Sequence, residues 1–563
     1  MAYRAPLNDI RFILDHVVPL VPIAATGRFA EATPDLAEAI LTEAAKLCDT
    51  VMAPLRRAGD QTPARLENGV VRSTPGFAEA FRQIADGGWI GVSAPAEYGG
   101  MGLPQMLNMA IHDMMSGANL ALELNPLLTQ GQIEALDHHA SDAIKALYLP
   151  KLISGEWSGT MNLTEPQAGS DVGALRTKAE PNGDGTHAVT GQKIFISWGD
   201  CDMTGNVCHL VLARLPGARP GTKGISLFLV PKFVPDENGR PGRRNGVNVV
   251  SLEHKLGLHG SPTCVMEYDR ATGWLVGEEH EGMAAMFTMM NNARLAVGVQ
   301  GVGVAEAACQ AAVDYAAGRN QMGAIIDHPD VRRMLATMRA EVFAARAIAL
   351  ACAAASDMAT ATGEPDWRAR AAFLTPIAKA WGTDVGCDVA SMAMQVHGGM
   401  GYIEETGVAQ FWRDVRVTAI YEGTNGIQAM DLVGRKMMDG GEAAFRLLEE
   451  IEAGAEAARA SLPDLAGAVW SAAETLREAT EATATRAVAD RYAGAVPYLR
   501  AFARVLGAHF HLRAALAEGG RGTRTALARI HVERLLPQYA ASLAEAKEGA
   551  AGLAALSPEA LAS

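Results

Sequence analysis

The sequence has 563 residues, 49% of them hydrophobic and 20% charged, and a formal net charge of −14. That length exceeds what one hydrophobic core can hold, and the acidic balance excludes a global basic field for nucleic acid or anionic lipid. The first residues lack the basic and apolar regions of a signal peptide, and no run of about eighteen apolar residues reads as a membrane span. The seven cysteines are scattered with no C-x-x-C pair, as expected of reduced thiols in a cytoplasmic protein with no metal site.

In chain order, residues 1–35 read as an N-terminal extension. Residues 36–158 read as a helical domain. One helix opens at Pro34-Asp35-Leu36, and another at Thr74-Pro75-Gly76-Phe77 with proline in its first turn. Gly99-Gly100-Met101-Gly102 marks a loop between helices. Over 159–281 the texture changes to short β-branched runs at His187–Ser197, His209–Arg214, Ile225–Val230 and Val247–Leu252, separated by turns. Without intervening helices they predict an antiparallel β-domain, a sandwich or barrel. Residues 282–440 return to helical spacing as a bundle. A break at Met438-Asp439-Gly440-Gly441 introduces residues 441–563, alanine-rich and helical, with no cluster that suggests chemistry.

Four fragments carry candidate chemistry. Leu163-Thr164-Glu165-Pro166 followed by Gly169-Ser170-Asp171 makes a turn-rich loop whose N–H groups and hydroxyls can donate to a ring edge and to phosphate. It reads equally as an ordinary turn before a strand. Phe195 and Ser197, two apart on a strand, would share a face, one against a planar ring and the other donating to it; alone, they describe a half-buried strand. Gln395-Val396-His397-Gly398-Gly399-Met400-Gly401 allows close backbone approach to a ligand, or is a helix end. No G-x-G-x-x-G spacing occurs, which argues against a Rossmann-type site. Tyr421-Glu422-Gly423-Thr424-Asn425 puts a carboxylate between an aromatic and a glycine at a loop-to-helix junction, where a lone Glu is ordinarily solvated.

Together and in this order, with Glu253-His254-Lys255-Leu256-Gly257, these fragments resemble the acyl-CoA dehydrogenase family over roughly residues 40–438. The opening Tyr3-Arg4-Ala5-Pro6 and the extension after 440 are similar to its 3-(methylthio)propanoyl-CoA dehydrogenase branch. The resemblance implies an α+β fold: an N-terminal helical domain, a middle antiparallel β-domain and a helical bundle, plus a C-terminal helical extension. It implies FAD between the β-domain and the bundle. It places Leu163, Thr164, Phe195 and Ser197 against the flavin, Gly169 among the cofactor-binding residues, and Ser170 at phosphate or acyl-CoA. Arg319 would meet the FAD pyrophosphate across a dimer contact, Gln395, Gly398 and Gly399 the adenosine side, and Thr424 a further FAD contact. Arg294 and Tyr421 would lie at the substrate. Many members have tryptophan where Phe195 stands and threonine where Ser197 stands; an aromatic face and a hydroxyl are kept. Gly426 stands where some members have an FAD-contacting glutamine.

The implied reaction is FAD-dependent α,β-dehydrogenation of an acyl-CoA to a trans-2-enoyl-CoA. One candidate is 3-(methylthio)propanoyl-CoA going to 3-(methylthio)acryloyl-CoA. Glu422 would remove the α-proton and a hydride would pass to flavin N5. The implied partners are an acyl-CoA substrate, an electron-transferring flavoprotein and a second copy of the chain, as a homodimer or homotetramer. The competing readings are an acyl-CoA oxidase and a flavin-containing nucleic-acid-binding relative. The second needs a basic C-terminal region, and residues 442–563 are nearly balanced in charge.

Overall fold

A computed structural model of the chain describes residues 3–563. Two short helices, Leu7–Phe12 and Val21–Ala24, precede α1, Pro34–Leu47. Thr33 caps α1: its hydroxyl accepts from Leu36 N at 3.3 Å, with proline in the first turn. Helix α2, Phe77–Asp86, starts after the Thr-Pro pair rather than on it, so Pro75 is outside the first turn. Gly76 sits at φ +89°, a left-handed conformation that cannot continue into a helix. Helix α3, Gln105–His139, is almost wholly buried and kinks at Asn119 (φ −161°, ψ 88°). There the Asn119 side chain accepts from Leu122 N and restarts the helix as a cap would. Helix α4, Asp142–Ile153, leads to the sheet.

The sheet comprises β1 Trp157–Asn162, β2 Lys178–Pro181, β3 His187–Ser197, β4 Asn206–Arg214, β5 Ile225–Pro231, β6 Val247–Leu252 and β7 Thr263–Val276. Strand order is β6-β7-β3-β2-β4-β1, and β5 pairs with both β7 and β4, which closes the sheet into a barrel. Pairing is antiparallel except where β1 and β2 run parallel to β4. The barrel has its own apolar core, with Val189, Val211, Phe228, Val230, Met266 and Tyr268 at its centre.

Three long helices follow: α5 Gly282–Gly318, α6 Pro329–Thr362 and α7 Pro365–His397. By length and hydropathy α5 and α6 could cross a bilayer, but their apolar windows are 94% and 78% buried against the rest of the chain, as core helices are. Helices α5 and α7 touch backbone to backbone. A Cβ on Gly298 would meet the Ala378 carbonyl at 2.5 Å, and one on Gly301 would meet the Gly382 carbonyl at 2.2 Å. Only glycine permits this approach, and it sets the α7 backbone at Ala378 and Lys379 directly against α5. Helices α8 Val408–Val415 and α9 Asn425–Gly434 complete the bundle.

The C-terminal segment forms α10 Glu442–Ala458, α11 Pro463–Thr485, α12 Ala495–Ala517, α13 Thr523–Ile530 and α14 Gln538–Lys547. It shares one continuous apolar core with the bundle and the N-terminal helices. Arg504 of α12 pairs with Glu341 of α6, and Arg500 of α12 with Asp384 of α7 at 2.9 Å. The α+β architecture expected from the sequence is the one found.

Candidate active site

Glu422 lies on the turn between a 3-10 segment, Arg416–Ala419, and α9. Glu422 and Gly423 both take left-handed backbone, at φ +56° and +87°. For a non-glycine residue that conformation costs about 1–3 kcal/mol and persists only where surrounding groups hold it. Here they do. Gln428 Nε2 donates to the Glu422 carbonyl at 3.1 Å. Lys379 Nζ, reaching over from α7, donates to the Gly423 carbonyl and to Asn425 Oδ1, each at 2.9 Å. Thr424 caps α9.

The Glu422 carboxyl is deeply placed: Oε2 is buried without a hydrogen-bond partner. Burial pushes its pKa up to about 7, against the lowering pull of the Arg294 and Lys379 cations. Arg294, on α5, is buried and ion-paired to Asp431 of α9 at 3.7 Å. The Glu422 N–H donates to no protein acceptor among the described residues.

Tyr421 extends from the same turn into the bundle, where its hydroxyl bonds Gln300 of α5. Gln300 Nε2 donates to Glu123 of α3 at 2.9 Å, the other Glu123 oxygen meets His112 Nδ1 at 2.6 Å, and His112 Nε2 meets Gln130 at 2.6 Å. Every group from Gln300 to His112 is fully buried. Burial would lower the His112 pKa, but the hydrogen bond and charge of Glu123 raise it above the ordinary value. Asn119 restarts α3 four residues before Glu123, which sets where that carboxylate points.

The barrel side is built differently. Leu163 and Thr164 leave the end of β1, and Ile194 N donates to the Thr164 carbonyl at 2.9 Å. Beneath them Lys193, wholly buried, bonds the Leu163 carbonyl at 3.0 Å and Glu165 Oε1 at 2.9 Å. Glu165 also accepts from Arg176 N and from Thr177. Burial alone would raise the Glu165 pKa, but Lys193 and these donors pull it down to about 2. Phe195 sits at φ +60° on a bulge, where the β3–β7 register shifts between Cys264 and Met266. The bulge, not strand alternation, turns its ring outward, 60% exposed. Ser197 is half-buried at the strand end. Trp198, also left-handed at φ +53°, is buried and donates to the Ala121 carbonyl of α3, fixing barrel to helices.

Arg294, Tyr421 and Glu422 are thus gathered in one place, Arg294 buried and the other two half-buried, while Leu163, Thr164, Phe195 and Ser197 cluster on the barrel. Gly169, Ser170, Arg319, Gln395, Gly398 and Gly399 are all exposed, and a Cβ on any of the three glycines would meet nothing within 4 Å. Lys379, Gln300, Glu123 and Lys193 escaped the sequence reading. The available signal for Lys379 is a lone cation inside the apolar run Phe373–Trp381.

Among known proteins, residues 34–156, 160–271 and 280–438 match the N-terminal, middle and C-terminal domains of acyl-CoA dehydrogenase, and residues 447–557 match a domain described as acetyl-CoA dehydrogenase C-terminal like. The chain is 48% identical over 521 residues to 3-methylmercaptopropionyl-CoA dehydrogenase of Ruegeria pomeroyi, spanning 89% of this chain and 88% of the relative. Its fold is similar to Caenorhabditis elegans ACDH-11 in complex with C11-CoA (TM-score 0.82, 20% identity, 95% of this chain, 92% of the other). It is also similar to an acyl-CoA dehydrogenase from Bacillus anthracis complexed with FAD (TM-score 0.74, 21% identity, 93% and 90%).

Proposed function

The chain belongs to the acyl-CoA dehydrogenase family of FAD-dependent oxidoreductases, and from that premise we propose that Glu422 is the base that removes the α-proton of a short acyl-CoA. The observation that carries the assignment is the turn itself. A carboxyl oxygen is buried without a partner on strained backbone, at a pKa near neutrality. A general base works best when its pKa lies near the working pH.

The residues present fit FAD. The exposed Phe195 ring offers a flat face, Thr164 and Ser197 offer hydroxyls beside it, and Gly169, Gly398 and Gly399 leave room for close approach. Ser170 and Arg319, both exposed, are the groups we assign to phosphate oxygens. Gln395 is assigned to the adenosine side. Bound FAD supplies the hydride acceptor, flavin N5, for the substrate β-carbon. The chain's own contribution is to hold the acyl group, accept the proton on Glu422 and donate the Glu422 N–H to the thioester oxygen as negative charge develops there. Arg294, whose charge favours ionised Glu422, is the group we assign to the CoA side of the substrate.

For the acyl group we propose 3-(methylthio)propanoyl-CoA, supported by the relative of that activity at 48% identity. An electron-transferring flavoprotein is the proposed acceptor. A homodimer is supported by exposed Met400, Tyr402 and Ile403 next to Gly398 and Gly399. Seven free cysteines, six of them buried, support the cytoplasm as the compartment. Anaerobic flavin bleaching tests the reading: FAD-loaded wild type bleaches with 3-(methylthio)propanoyl-CoA faster than with butyryl- or octanoyl-CoA. Equal or faster bleaching with octanoyl-CoA would sink the substrate, and normal bleaching in Glu422→Gln would sink the base. Peroxide formed without added acceptor would make the chain an oxidase.

A further inference from the structure

Six cationic side chains are buried in the described structure: Lys193, Lys232, Arg294, Arg346, Lys379 and Arg504. Five have a carboxylate within ion-pair distance: Glu165, Asp200, Asp431, Asp113 and Glu341 respectively. Among the described residues, Lys379 is the buried cation without one, although it is 0% exposed. Its bonds go to neutral acceptors, the Gly423 carbonyl and Asn425 Oδ1. Removing a charge from water costs several kcal/mol unless an opposite charge compensates it. The compensating charge here is held just out of contact. The anions facing the ammonium are first Glu422 and then Asp384, with Cys387 as a weaker acid and Arg294 as an opposing cation. Burial lowers Lys379 itself to about 8, so it is cationic at neutral pH.

The contact is fixed at both ends. Lys379 is carried on α7 at the place where Gly298 lets α5 and α7 meet backbone to backbone. Asn425 is bonded in turn to Thr383 and to Asp384, each on α7. The ammonium is thus one residue removed from the base, joined to the carbonyl that follows it.

We propose that Lys379 is a positioning residue of the catalytic turn: bonded to the Gly423 carbonyl, its ammonium holds the left-handed backbone of Glu422 and favours the ionised, proton-accepting carboxylate without occupying it. A direct ion pair would bind up the lone pairs that must take the proton. A neutral residue would leave the buried carboxyl protonated at neutral pH. The charges facing Glu422 are Arg294 from α5 and Lys379 from α7, so each supplies part of the field.

The inference rests on Glu422 being the base, and the test separates the two. Lys379→Gln keeps a donor for the Gly423 carbonyl and removes the charge; Lys379→Arg keeps the charge. In FAD-loaded protein, anaerobic bleaching with butyryl-CoA is followed from pH 6 to 10. The acid limb of kcat/KM, set by Glu422 in free enzyme, moves alkaline by about one pH unit or more in Lys379→Gln, since a unit charge a few ångströms away acts at this scale. Activity recovers toward wild type at high pH, and Lys379→Arg keeps the wild-type limb. A limb unmoved in Lys379→Gln, or a loss independent of pH, overturns the proposal while an inactive Glu422→Gln leaves the base assignment intact.

A second readout needs no turnover. The Glu422 pKa is raised in the folded apoprotein, so wild type loses stability relative to Glu422→Gln as pH rises from about 4.5, and the difference levels off above about 7. With Lys379→Gln in both backgrounds the difference keeps growing past pH 7. An unchanged midpoint there overturns the proposal even if the single variant loads FAD poorly.

Discussion

The barrel loop that carries Glu165 and the turn that carries Glu422 are each held by a buried lysine from a neighbouring element, and the two lysines act on their carboxylates in opposite ways. In the barrel, Lys193 touches Glu165 at 2.9 Å, and with the neighbouring donors it drives that carboxylate down to about 2. In the bundle, Lys379 stands off from Glu422 and bonds the next carbonyl instead, leaving the carboxyl at about 7. The lysine itself sits at about 8 in both places. What differs is the distance to the partner and the number of donors to it. Direct contact makes a structural carboxylate that pins the Leu163-Thr164 loop. Contact through one backbone carbonyl leaves the carboxyl free, as the base we propose requires. Burial supplies the proton affinity, and spacing decides whether it is available for chemistry.

The sharpest test of that contrast exchanges each carboxylate for its amide. Glu422→Gln should lower the rate of flavin bleaching by about 10²- to 10⁴-fold, the range for losing a general base. It should leave FAD bound, and should stabilise the apoprotein above pH 7 by up to about 3 kcal/mol, because a buried ionised carboxylate is removed. Stopped-flow absorbance and thermal melts at pH 6 and pH 8 read both effects. A Glu422→Gln protein that melts lower at pH 8 would put Glu422 among the structural carboxylates and erase the contrast.

These two places were unequally legible in the sequence. Glu422 stood out through Tyr421, Gly423 and Asn425, whose spacing carries the family resemblance, and glycine after it is what a second left-handed residue needs. Thr164 and Phe195 are legible for the same reason, but strand alternation does not place Phe195: a bulge does. Lys379 and Lys193 were missed because what makes each one matter comes from elsewhere in the chain. Nothing within a few residues of Lys379 announces that the carbonyl of Gly423 lies 2.9 Å from its nitrogen. The β-domain was legible from its short runs, whereas the parallel pairing of β1 and β2 with β4 was not, because register between distant strands is set by closure of the barrel.

Glu165→Gln tests the other arm. It leaves Lys193 buried and unpaired, and breaking such a pair costs about 3–5 kcal/mol. The expected outcome is a lower apparent melting temperature at neutral pH and weaker FAD retention, since Lys193, which bonds the Leu163 carbonyl, loses the carboxylate that holds it, with the acid limb of bleaching still near pH 7. Glu165 is depressed in the folded state, so its contribution is present above about pH 4.5 and is lost as pH falls toward 2. The melting difference from wild type should therefore shrink in acid. A shifted acid limb in Glu165→Gln would show that the barrel pair also tunes the base.

The smallest effect separates geometry from charge at the catalytic turn itself. Gln300 joins Tyr421 to the buried Glu123–His112 pair and carries no charge. Gln300→Leu removes both of its bonds and frees the Tyr421 end of the turn, while Lys379 still holds the Gly423 end. One neutral buried hydrogen bond contributes on the order of 1 kcal/mol, so kcat/KM should fall about fivefold with its acid limb in place. That pattern is the converse of Lys379→Gln, which moves the limb. If Gln300→Leu also moved the limb, the proton affinity of Glu422 would depend on the conformation of the turn rather than on the charges around it, and the spacing of Lys379 would no longer explain why Glu422, the proposed base, differs from Glu165.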